Sequence, residues 1–68
     1  MEDIKQQVGA LIREARKAKG LTQKEVAEKL KTDEHRISRI EAGKANLTLD
    51  SLQKILEAIG STLVLATK

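Results

Sequence analysis

Cysteine is absent from this sequence. That excludes disulfides and thiolate metal sites, and it suits a reducing compartment. Histidine occurs once, at position 35, too little to build a metal-binding cluster. Phe, Trp and Tyr are all missing. Readers of single-stranded nucleic acid, RRM domains among them, stack bases on aromatic rings, and no such platform can form here. The core must therefore be assembled from Leu, Ile, Val and Ala. No apolar run approaches the ~20 residues that cross a bilayer. The opening residues Met1-Glu2-Asp3-Ile4-Lys5 are polar and acidic rather than leader-like, so the expectation is a soluble, cytoplasmic protein without cofactor or metal.

The chain has 68 residues, room for a single domain over 1–68. A domain of this size buries only about 60% of its unfolded surface and is marginally stable alone. Thirteen Lys and Arg against ten Asp and Glu give a formal charge of +3 and a pI near 9.5. This balance permits a nucleic-acid partner without demanding one. Its distribution is even: +2 over residues 1–19, +1 over 20–44 and zero over 45–68. Most of these charges read as ordinary solvated faces. With aromatics absent, any nucleic-acid partner is expected to be duplex DNA, read by shape and hydrogen bonds.

Periodicity is helical for most of the chain. Ile4, Val8, Leu11, Ile12 and Ala15 fall on one apolar stripe. Asp3 and Gln6 resemble a capping box, and Gly20 a left-handed stop, which predicts a first helix over roughly 3–19. Thr22 and Glu25 form a T-x-x-E box ahead of Val26, Ala27 and Leu30, so a second helix starts near Gln23. Thr32 or Asp33 can cap a third helix with Ile37 and Ile40 inward, ending at Ala42-Gly43. Thr48 caps a fourth, with Leu49, Leu52, Ile55, Leu56 and Ile59 inward, closed by Gly60. After it comes Ser61-Thr62-Leu63-Val64-Leu65-Ala66-Thr67-Lys68. Thr, Val and Leu in a short run after a helix stop favour a strand. No repeats, linkers or low-complexity tracts occur.

The stretch GLTQKEVAEKLKTDEHRISRIEAGK, residues 20–44, thus holds two short helices joined by a tight turn, a helix-turn-helix. Ala27 is small where the two helices cross, while Leu30, Ile37 and Ile40 lock them into the core. That leaves the first turns of the third helix facing outward, the arrangement that places a helix in a major groove. Asp33, His35 and Ser38 are of the types found in catalytic triads, yet they share one exposed helical segment with no cleft or oxyanion hole. A Gly-rich phosphate loop is also absent, and no enzyme is expected.

The blocks LTQKEVAEKL, RISRIEAGK and LTLDSLQKILEAIG resemble the Cro/cI-type (Xre) helix-turn-helix domain over roughly residues 8–60. The continuation GSTLVLATK is similar to HipB- and HigA-type antitoxins, whose members often dimerise through such strands. The resemblance implies a mainly all-α bundle of four to five helices with a short C-terminal strand paired across a homodimer. It further implies a transcriptional repressor of a palindromic double-stranded operator, acting as the antitoxin of a type II toxin–antitoxin system that also binds its toxin. The alternative is a stand-alone phage-type repressor or restriction–modification controller without a toxin.

Carried over position by position, the resemblance makes Gln23 a phosphate contact that braces the recognition helix, with Lys24 beside it. It makes Glu34, His35 and Ser38 base-facing, flanked by Arg36 and Arg39, and Lys44 a phosphate contact in the following loop. Thr62, Leu63, Val64, Leu65 and Ala66 become the dimer interface. Two departures stand out. Lys31 occupies the turn position where glycine is usual, and Asp33 and Glu34 are acidic where DNA is to lie. Both favour a helix N-terminus, and Glu34 can also accept from cytosine N4.

Overall fold

Side chains and backbone amides satisfy one another locally at three of the helix starts, and those caps set the element boundaries there. The computed structural model describes residues 4–60, folded into α1 (Ile4–Ala18), α2 (Gln23–Leu30), α3 (Glu34–Glu41) and α4 (Leu49–Ile59). The described residues contain no strand. Residues 61–68, where a strand and the interface Thr62–Ala66 were expected, lie outside the described residues, as does Asp3. None of the four helices is long and apolar enough to cross a membrane.

At α2 the Thr22 hydroxyl accepts from the Glu25 amide at 3.0 Å, and the Glu25 carboxylate accepts from the Thr22 amide at 2.9 Å. This reciprocal box satisfies two amides that no helical carbonyl can reach. It also holds the Glu25 carboxyl below its ordinary value, chiefly through the Thr22 backbone N–H. Asp33 accepts from the Arg36 amide at 2.8 Å and caps α3, and Thr48 caps α4 through the Ser51 amide at 3.0 Å. Of the two candidates for the α3 cap, the structure takes Asp33. The helices stop at left-handed residues: Gly20, Gly43 and Gly60 follow α1, α3 and α4. Lys31 closes α2 at φ 59°, the sole non-glycine with positive φ among the described residues.

Ile12, Val26, Ala27, Ile37, Ile40, Leu52, Ile55, Leu56 and Ile59 form one buried core, with Val8, Ala15, Leu21, Leu30, Ala45 and Leu47 packed at its margin. Both α3 and α4 pack on α1 and α2. Ala27 and Ile37, 2% and 1% exposed, sit in the core as the turn geometry requires. Three residues assigned to the inward stripes do not. Leu11 is 47% exposed, Ile4 67% and Leu49 74%. At about 100° per residue, the inward face of α1 is centred on Ile12 and completed by Gly9 and Arg16. Leu11 lies a quarter-turn off it. Ile4 and Leu49 each open their helix and border an open groove between α1 and α4 rather than the core.

Gly9 is buried for a packing reason. A Cβ there would stand 2.5 Å from the Ile40 carbonyl oxygen and 2.6 Å from that of Glu41. Only a residue without a side chain lets α1 cross the end of α3 this closely.

Candidate nucleic-acid interface

Ile37 and Ile40 point inward, so the opposite side of α3 is fixed by geometry. His35 lies nearly opposite them, with Arg39 and Ser38 on either side. Arg36 leans toward one flank of the helix and Glu34 toward the other. All five are exposed, as are Lys24 and Lys44. The structure therefore brings Glu34, His35, Arg36, Ser38 and Arg39 onto one short helix whose apolar side is buried. A helix with its cylinder of side chains is about 10–12 Å wide, and a B-DNA major groove is about 12 Å wide.

The loop after α3 is tied back to the helix. The Lys44 amide donates to the Arg39 carbonyl at 2.9 Å, and Gly43 to that of Ile40 at 3.1 Å. The Arg39 guanidinium closes the loop from outside, its Nη2 donating to the Lys44 carbonyl at 3.1 Å. Arg39 and Lys44 thus share one local frame, and the rest of the guanidinium fork stays open.

Gln23 opens α2 half-buried, its Nε2 donating to Glu41 Oε1 at 3.1 Å. This hydrogen bond ties the start of α2 to the end of α3. Glu41 also receives Arg16: Nε to Oε2 at 2.7 Å and Nη2 to Oε1 at 3.1 Å, while Nη1 donates to the Leu21 carbonyl at 2.8 Å. The two side chains retain 11% and 4% of their accessibility. The hydrogen bond to Glu41 raises the Arg16 pKa above its ordinary value, against the opposing effect of burial. One fork-to-fork ion pair therefore joins α1 to α3, and Gln23 adds α2. These contacts lie behind the exposed face of α3.

Sequence reasoning missed this pair. Its signal was present: Arg16 falls four residues after Ile12 and Glu41 four after Ile37, so each places a charge beside an apolar stripe. Lys31 confirms its departure, adopting the left-handed backbone that glycine takes without strain. Asp33 serves as the α3 cap, and Glu34 stands exposed in the first turn.

A family model described as helix-turn-helix matches residues 12–65. No curated protein matches the chain.

Proposed function

Because the chain belongs to the helix-turn-helix family of DNA-binding transcription regulators, we propose that it is a homodimeric repressor that reads a palindromic operator through α3. The observation that supports this reading is the outward face of α3, where Glu34, His35, Arg36, Ser38 and Arg39 stand exposed on a helix braced from behind. In this reading His35, Ser38 and Glu34 meet base edges. Arg39 offers its free fork to guanine O6 and N7, and Lys44 meets a phosphate. Lys24 and the second amide hydrogen of Gln23 serve the backbone at the start of α2.

The repressor is further proposed to be an antitoxin, neutralising a toxin encoded beside it through a surface other than α3. Support comes from the likeness of GSTLVLATK to HipB- and HigA-type chains. Co-expression with the neighbouring reading frame tests it. Rescue of growth supports the antitoxin, and a harmless neighbour leaves a stand-alone repressor or controller.

Operator selection from random duplexes, followed by mobility shifts at several salt concentrations, tests the DNA reading. Arg39→Ala should weaken specific binding by about 1–3 kcal/mol. Lys44→Ala should weaken all sequences alike and flatten the salt slope by about one unit. Undiminished binding by the Arg36→Ala/Arg39→Ala double variant would remove α3 from the groove.

A further inference from the structure

A cleft of about 300 Å³ separates α3 from α4. Leu30, Ile37, Ile40 and Ile55 line its apolar part, and its polar lining is Lys31, Thr32, Arg36, Ser51 and Lys54. Three cations and two hydroxyls therefore border one cavity that no carboxylate lines. Among the described residues none of these three cations forms an ion pair. The carboxylate closest in sequence to Arg36 on this side, Asp33, is engaged with the Arg36 amide.

Lys31 adds a second observation. It lines the cleft while closing α2 as its left-handed C-cap, φ 59°.

The position of the cleft identifies its occupant. Gln23 flanks α3 on the side of Glu41, as the Gln23–Glu41 hydrogen bond fixes. Arg36 and Ile40 face the opposite flank, toward α4. A helix seated in a major groove has a phosphate backbone along each flank, because helix and groove have nearly the same width. One wall falls at the start of α2 and the other at this cleft.

We propose that the α3–α4 cleft seats a backbone phosphate of duplex DNA on the wall opposite Gln23, with Lys31 and Lys54 joining Arg36 as its cations. The proposal rests on the reading that α3 enters the major groove. Thr32 and Ser51 supply hydroxyl donors to the same oxygens. The contact carries no sequence information; it sets how deeply and at what tilt α3 lies.

A mixed-sequence duplex of about two helical turns suffices as the probe, since phosphate contacts act on any sequence. Affinity is measured by fluorescence anisotropy across a sodium chloride series. The double variant Lys31→Gly/Lys54→Gln should flatten the slope of log affinity against log salt by one to two units, roughly 0.9 per phosphate lost. Thermal melting should show it folded, because glycine accepts the backbone of position 31. Arg13→Gln/Lys17→Gln removes two exposed charges from the outer side of α1 and should leave the slope unchanged. Equal flattening by both doubles would assign the effect to net charge and overturn the seat. An unchanged slope in Lys31→Gly/Lys54→Gln, with Lys44→Ala still flattening it, would overturn the seat while sparing the DNA reading. Failure of the unsubstituted chain to bind any duplex would sink both. A third arm titrates inorganic phosphate without DNA and follows the amide resonances of Thr32 and Ser51. Saturation at low millimolar phosphate would assign the cleft to a free anion instead.

Discussion

One carboxylate, Glu41, holds three helices in register: Arg16 from α1, Gln23 from α2 and its own α3. Removing its charge leaves the Arg16 guanidinium enclosed and unpaired, and breaking such a pair typically costs about 3–5 kcal/mol. Glu41→Gln should therefore lose most of the stability of so small a domain in urea unfolding. Arg16→Met combined with Glu41→Leu should recover much of the loss, because no charge is then stranded. A cost below about 1 kcal/mol for Glu41→Gln would mean that water screens the pair. The pair was hard to read because its members stand 25 residues apart, and neither has a partner within its own helix. Glu25 is the opposite case, since its partner is three residues away and the T-x-x-E spacing announces it. Its folded pKa lies below 4.5, so its contribution is present above that value and is lost as pH falls through the folded pKa. The melting temperature of the wild type should exceed that of Glu25→Gln at neutral pH, and the gap should close as pH falls below 4.5 and through the folded pKa. A gap constant from pH 7 to 3 would show that the carboxylate charge adds nothing to the cap.

Between elements, the close crossing of α1 and α3 depends on Gly9. In an isolated helix Gly→Ala stabilises by about 1 kcal/mol. Here the added methyl would meet two carbonyl oxygens at 2.5 and 2.6 Å, backbone atoms that cannot rotate aside. Gly9→Ala should thus destabilise by about 1–3 kcal/mol, reversing the sign that propensity assigns, and chemical denaturation reads that sign directly. Stabilisation would mean that α1 slides freely along α3. Because it also displaces the Arg16–Glu41 bridge, the variant should weaken DNA binding by more than its stability loss explains. The ends of the helices were legible because Thr22, Thr48 and the stop glycines act through hydrogen bonds within a turn. The faces were less so. A stripe drawn through Leu11 and Leu49 follows hydrophobicity alone, whereas the inward side of α1 is set by Gly9 and Arg16, which hydrophobicity does not flag. The turn between α2 and α3 was recognisable despite Lys31, because its length and the following Asp33 cap carry the signal.

For the molecule as a whole, the open step is how two copies of α3 come to face one operator. A two-fold axis gives two identical surfaces, and two half-sites one DNA turn apart require recognition helices about 34 Å apart. Residues 62–66 are proposed to supply that axis. A single strand leaves its amides and carbonyls unpaired, and an isolated one is unstable in water. Two copies related by a two-fold axis must pair antiparallel, since the rotation reverses chain direction. The pairing would centre near Val64, with Leu63 and Leu65 on one shared face. Burying such side chains contributes about 1.5–3 kcal/mol each, enough for the two on that face of each subunit to hold a dimer at modest concentration. Deleting residues 61–68 should then yield a monomer by light scattering. Operator affinity should fall by orders of magnitude, while binding by the isolated half-site persists at non-specific strength. Retention of the dimer after deletion would move the axis onto the helices. Ile4 and Leu49, the most exposed large apolar side chains described, line a common groove with Val8 and Leu52 there. Leu49→Lys in the truncated chain separates the two arrangements: it leaves a monomer unchanged but splits a dimer built on that groove.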